Sequence, residues 1–243
     1  MLKIMVYFLV LNLSLFAFEF DLKPVKDKLL KVDDIYGYIK DSSNIKLHSS
    51  GIVVQHFKNS QSIIARVNVV AKENGLAKLQ FGVFSDLQQE ALPLPNVLPQ
   101  IGDEVILNFL YDRGLIIAPN EQIYKQLVEK FPQIYFTHID IFGAQLIKTA
   151  TLSPKRSDFR RFCADNAVGI LVIALENKAQ FVDCQNFNKL YEVPIQKANS
   201  VQIPFYSRIE GYKANFFDFS SQEIGNYYQY YNALINLTKA INQ

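Results

Sequence analysis

The chain has 243 residues, is 49% hydrophobic and carries a formal net charge of only +2, with acidic and basic residues interspersed. That length and apolar content suit one large folded domain or two small ones and exclude wholesale disorder. The balanced charge offers no basic face, so no nucleic-acid partner is expected.

In chain order, the first segment has the features of an export signal. Lys3 gives a positive start, Ile4 to Phe16 form an apolar run interrupted by Asn12 and Ser14, and Ala17 is a small residue suited to cleavage. Residues 1–17 are therefore expected to be a signal peptide, since the run is shorter than the ~20 apolar residues of a spanning helix. No membrane span is expected after cleavage.

Residues 18–111 read as β-rich. Phe18 to Val32 mix Lys and Asp with Leu and Val, which suits an extended arm or a short amphipathic turn. Strands are expected over Ile35 to Lys40, Gly51 to Phe57, Ser62 to Ala71, Leu76 to Phe84 and Glu104 to Tyr111. Ile63, Ala65, Val67 and Val69 alternate with polar residues, as do Ala77, Leu79, Phe81 and Val83, and Asn74-Gly75 lies between the two runs. Asn-Gly supplies the positive φ angles of a type I′ turn, so the spacing predicts a hairpin. Five short strands with polar turns, one of them Gly102-Asp103, predict a small antiparallel barrel whose closure removes sticky edges. The three prolines of Leu92 to Pro99 predict a stiff, non-helical loop.

Residues 112–243 read as α/β. Leu115-Ile116-Ile117-Ala118 run without alternation into Pro119 and Asn120, and Ile123, Leu127, Val128 and Phe131 then recur at helical spacing. That pattern is a buried strand feeding a helix, with Asn120 as N-cap and Glu121 at the positive end of the helix dipole. A strand at Ile134 to Thr137, a short helix or turn at Ile139 to Ile147, and a helix opened by Ser153-Pro154 with Phe159 and Phe162 inward follow. Gly169 to Leu175 and Ala179 to Val182 form a hairpin through Glu176-Asn177-Lys178, and Tyr191 to Ile195 and Val201 to Tyr206 are candidate edge strands. A terminal helix from Ser220 or Ser221, with Glu223 placed for a capping box, has Ile224, Tyr228, Tyr231, Ile235 and Thr238 on its apolar stripe. The fold class is thus mixed α+β: an antiparallel barrel-like half, then an α/β half with a C-terminal helix.

Little chemistry is legible. His48, His56 and His138 lie in different segments, and His138-Ile139-Asp140 lacks the further converging ligands that a metal or acid/base site needs. Phosphate-loop, dinucleotide, zincin and nucleophile-elbow motifs are absent, so no enzyme, cofactor or metal is expected. Cys163 and Cys184 flank the Gly169 to Val182 hairpin in an exported chain, where a structural disulfide is the preferred reading and two buried thiols the alternative. Tyrosine joins apolar area to a polar tip, so Tyr227 and Tyr230, off the apolar stripe of the last helix, are candidate interface residues.

Three stretches, Leu115 to Tyr124, Ile203 to Gly211 and Asn226 to Ile235, resemble the N-terminal domain of the plasminogen-binding surface proteins of spiral gut bacteria. The resemblance implies a non-enzymatic, exported, envelope-associated protein whose partner is plasminogen. Longer members carry a Lys/Glu-rich extension ending in lysine, whereas this sequence ends at Gln243. A lysine-binding module recognises an ammonium and a carboxylate a fixed distance apart, which a terminal lysine offers on one residue. Here Lys239 and the Gln243 carboxylate are the nearest substitute, with Lys26 beside Asp27, and Lys155 and Arg156 near Asp158, as internal candidates. A periplasmic scaffold or assembly factor with no host ligand is the alternative function.

Overall fold

The computed structural model describes residues 23–84, 97–209 and 224–237. The signal peptide, the Leu92 to Asn96 part of the proline-rich loop, Ser220, Ser221, Glu223, Lys239 and Gln243 lie outside the described residues.

The first sheet contains β1 (Val25–Lys28), β2 (Lys31–Asp33), β3 (Tyr36–Lys40), β4 (Ser50–Phe57), β5 (Ser60–Glu73), β6 (Leu76–Gly82) and β7 (Glu104–Leu107). Their order is β1-β7-β4-β5-β6-β3-β2, and every pairing is antiparallel. β1 and β2 are consecutive in the chain yet stand at opposite ends of that order. Between them Leu29 N–H donates to Asp103 O at 3.0 Å on the β7 side, and Leu30 N–H donates to Tyr38 O at 2.8 Å on the β3 side. One arm therefore borders both edges of the curled sheet, which settles the role of the Phe18 to Val32 region where it is described. The Asn74-Gly75 hairpin is present, with φ of 53° and 75°. Strict alternation fails at two places: Val53 pairs with Ala65 but Val54 with Ile63, and Val69 pairs with Leu79 but Ala71 with Lys78, so Ile64 and Val70 are the extra residues of β-bulges. Ile64 and Ala65 are consequently both buried, alongside Val67, Val69, Leu79, Val105 and Leu107.

The second sheet contains β8 (Arg113–Ile117), β9 (Tyr135–Thr137), β10 (Ile170–Ala174), β11 (Lys178–Asp183) and β12 (Lys189–Pro194), in the order β12-β11-β10-β8-β9. β10, β8 and β9 are parallel, while β11 and β12 are antiparallel additions. The helices are α1 (Glu121–Lys130), α2 (Ile139–Lys148), α3 (Arg156–Asn166) and α4 (Tyr227–Asn236). Leu115 to Ala118 are wholly buried, as a central parallel strand covered on both faces requires. Phe142 sits among Phe159, Phe162 and Phe205, at centroid distances of 4.8, 5.0 and 5.5 Å.

Three expectations are corrected here. α3 begins two residues after Pro154: Lys155 is its N-cap, and the Asp158 carboxylate accepts from Lys155 N–H at 2.8 Å. Val201 to Tyr206 form no strand, because Gln202 N–H and Tyr206 N–H are directed to Pro119 O and Ala118 O beyond the end of β8. In α4 the N-cap is Asn226, and the buried face consists of Tyr227, Tyr231, Leu234 and Ile235, with Tyr228 only partly covered.

The two sheets meet at a buried polar junction. Asp183, fully buried at the end of β11, accepts from the Ser50 hydroxyl at 2.5 Å and the Tyr111 hydroxyl at 2.6 Å. Its other oxygen accepts the Gln185 and Asn186 N–H groups, both at 2.9 Å, so four donors compensate the burial of one carboxylate. Asn186 Nδ2 then donates to His48 O and Asn68 Oδ1 of the first half. Cys163 and Cys184 form a disulfide, with Cα atoms 6.5 Å apart, that ties α3 to this same turn.

Candidate functional site

In open α/β sheets, ligands sit beyond the carboxyl ends of the parallel strands, where strand order reverses. Here that place is β8, with β9 on one side and β10 on the other, and the chain covers it with its own residues. Besides Gln202 and Tyr206, Tyr227 OH donates to Ile117 O at 3.0 Å and Tyr231 OH to Pro204 O at 2.9 Å. Asn120 caps α1 by accepting from Ile123 N–H at 2.9 Å, and its Nδ2 donates to Asn199 Oδ1 and Ser200 O. Among the described residues, the carbonyls of Ile117, Ala118 and Pro119 at the end of β8 are thus taken by the chain's own donors.

The surroundings of that strand end are charged. At the start of α2, His138 is the N-cap, and its Nδ1 accepts from Asp140 N–H at 3.2 Å. The Asp140 carboxylate receives the Ser207 hydroxyl, Arg208 N–H and Arg208 Nε at 2.8, 2.9 and 2.7 Å. Desolvation alone would raise its pKa, but the bonds from Arg208 and Ser207 outweigh it and hold the carboxyl below its usual range. On α1, Lys125 Nζ lies 2.9 Å from Glu121 Oε1, and both side chains are more than half exposed. The Lys125 hydrogen bond, with its charge, lowers the Glu121 carboxyl, and the Tyr206 hydroxyl adds to this.

The residues singled out from sequence fare differently. Cys163 and Cys184 are joined. Tyr227 is 1% exposed, so it is a core residue, and the assignment of it to the outer face of α4 is corrected. Tyr230 is partly buried and donates to Pro154 O at 2.9 Å; burial pushes its hydroxyl up to about 12. Lys26 pairs at 3.7 Å with Glu104 instead of Asp27, whose carboxylate takes the Lys28 N–H. Asp158 is engaged in capping α3, and Arg156 donates to Leu234 O and Ile235 O, so neither is available as part of a lysine-like pair. The histidines do not converge: His56 Nε2 bonds Glu104 at 3.0 Å, and His48 O accepts from Asn186. Among the described residues no group of three or more His, Cys, Asp or Glu side chains is arranged to hold a metal. The exposed Glu121–Lys125 pair was missed, although an acid four residues before a lysine in a helix is a readable signal.

The family described as "Plasminogen-binding protein pgbA N-terminal" matches residues 24–235, a span that includes both sheets and all but the last residue of α4. The chain belongs to this family. Two relatives, the plasminogen-binding proteins PgbA of Helicobacter pylori strains J99 and 26695, are each 28% identical over 200 residues. Those 200 residues are 81% of this chain but 44% of each relative, so this chain spans less than half the length of the proteins it matches. No solved structure matches. The family's name describes a binding protein, and the disulfide suits an oxidising compartment. Among the described residues no helix is long and apolar enough to cross a membrane.

Proposed function

We propose that this chain is an exported, envelope-associated protein that binds plasminogen by surface contact rather than acting on a substrate. The observation that carries this reading is the family match over residues 24–235, which spans nearly all of the described fold. The apolar leader, the disulfide and the covered strand ends support it. Binding through lysine calls for an exposed ammonium, and Lys239 is a candidate from outside the described residues.

The test is surface plasmon resonance of the mature chain on immobilised plasminogen. We expect weak binding that a free lysine analogue competes away and that one lysine appended after Gln243 strengthens; Lys239→Ala measures the share of that position. Tight binding indifferent to the analogue would defeat the lysine mechanism. Protease protection of the chain on intact cells would exclude host plasminogen as its physiological partner. A second reading, an envelope scaffold, draws on Val83, Leu98 and Ile101, which are 72%, 81% and 69% exposed.

A further inference from the structure

A lysine-binding module needs an exposed ammonium and a carboxylate presented together at a spacing the partner can rely on. Among the described residues, three Lys–acid pairs have both side chains more than half exposed: Lys31–Asp33, Lys125–Glu121 and Lys197–Glu176. They differ in what holds them. Lys31 stands on a three-residue strand with its ammonium over the Tyr38 ring, 5.1 Å from the centroid. Lys197 and Glu176 both lie outside helices and strands. Glu121 and Lys125 occupy successive turns of one face of α1, a helix capped by Asn120 and anchored from behind by Ile123 and Leu127.

From that comparison we propose that the exposed face of α1, with Lys125 as the ammonium and Glu121 as the carboxylate, is the surface through which this domain engages a lysine-binding module. The inference rests on the plasminogen reading above and gives it an internal site within the folded domain. An exposed i,i+4 ion pair stabilises its helix only slightly, so the two side chains can exchange each other for the opposite charges of a partner at small cost. Fixing both groups on a rigid helix also lowers the ordering cost of binding. Tyr206 and Arg208 stand beside Glu121 and bear on its ionisation, which places a ring and a second, 64% exposed cation at the same surface.

The experiment uses the full chain on immobilised plasminogen, with and without 6-aminohexanoate, and compares the wild type with Lys125→Ala, Glu121→Gln and Lys197→Ala. Both α1 substitutions leave the buried face of the helix untouched, and circular dichroism confirms folding. We expect the wild type to be displaced by 6-aminohexanoate, Lys125→Ala to bind at least fivefold more weakly, Glu121→Gln to bind about threefold more weakly, and Lys197→Ala to match the wild type. Analogue-sensitive binding that neither α1 substitution weakens would overturn the α1 surface while leaving plasminogen as the partner. Loss of analogue sensitivity in the wild type itself would overturn the lysine-dependent reading on which the surface depends.

Discussion

The two sheets are held together by different means. In the first, one arm pairs along both edges, the backbone ladder curls on itself, and the interior is almost entirely aliphatic. The second sheet stays open and is fastened through side chains: a cluster of four phenylalanines, a disulfide, and the hydroxyls of Tyr227, Tyr230 and Tyr231 donating to Ile117 O, Pro154 O and Pro204 O. In the curled sheet the two strands of the arm cover β7 and β3 by backbone pairing, whereas the second sheet must pin down the irregular segments that cover it. The open sheet manages its own edges separately. β12 carries Lys189, Glu192 and Pro194, and β9 has only three residues.

The sharpest way to probe that contrast is to remove one fully buried residue from each core. Phe142→Ala empties the centre of the phenylalanine cluster and is expected to lower unfolding stability by about 3–5 kcal/mol. Leu79→Ala in the barrel removes less volume and should cost about 2–4 kcal/mol. Urea denaturation measures both, and an equal or larger loss at Leu79 would break the comparison.

The disulfide gives the next largest effect. It spans a sequence separation of 21, for which the chain-entropy model expects roughly 3 kcal/mol. The paired Cys163→Ser/Cys184→Ser variant should therefore melt well below the wild type. Hydrogen exchange should rise around Asp183 to Asn188 and at the Ser50 N–H, which donates to Tyr111 at the junction. Faster exchange confined to β5 and β6 would mean that the staple does not act where it is placed.

The smallest effect is alkaline. Burial raises the Tyr230 hydroxyl from the ordinary value near 10 to about 12, so the folded state holds the proton that the unfolded chain releases first. The stabilisation is present below pH 10 and is lost as pH rises towards 12. Tyr230→Phe should lower stability by roughly 1 kcal/mol at pH 8, through loss of the bond to Pro154, and by less at pH 11. A difference that does not shrink with pH would show that the hydroxyl is not what matters.

Features set by near neighbours were legible from the chain. Asn74-Gly75 dictates its own turn, Asn120 reaches only three residues ahead to Ile123, and Phe159 and Phe162 are three apart on one helix face. Other placements depended on distant partners. Tyr227 looked peripheral by helical spacing because its partner, Ile117 O, lies 110 residues away. Lys26 looked like the neighbour of Asp27 until folding brought Glu104 across the β1–β7 pairing. The candidate site was half legible: the start of α1 was recognised as a capped helix, but Tyr206 and Arg208 reach it only through the long segment laid over the strand ends.

By itself the sequence determined the class of each half, since alternation with turn residues gives exposed-face strands and unbroken apolar runs give buried ones, both through contacts of a few residues. Only the tertiary structure decided which edges the arm joins, which face of α4 is core, and that Asp183 is the meeting point of the two halves. Those outcomes turn on where buried polar groups find partners across the chain. A buried hydroxyl, carbonyl or carboxylate must be matched by whatever group the fold brings to it, and no local pattern records that distance.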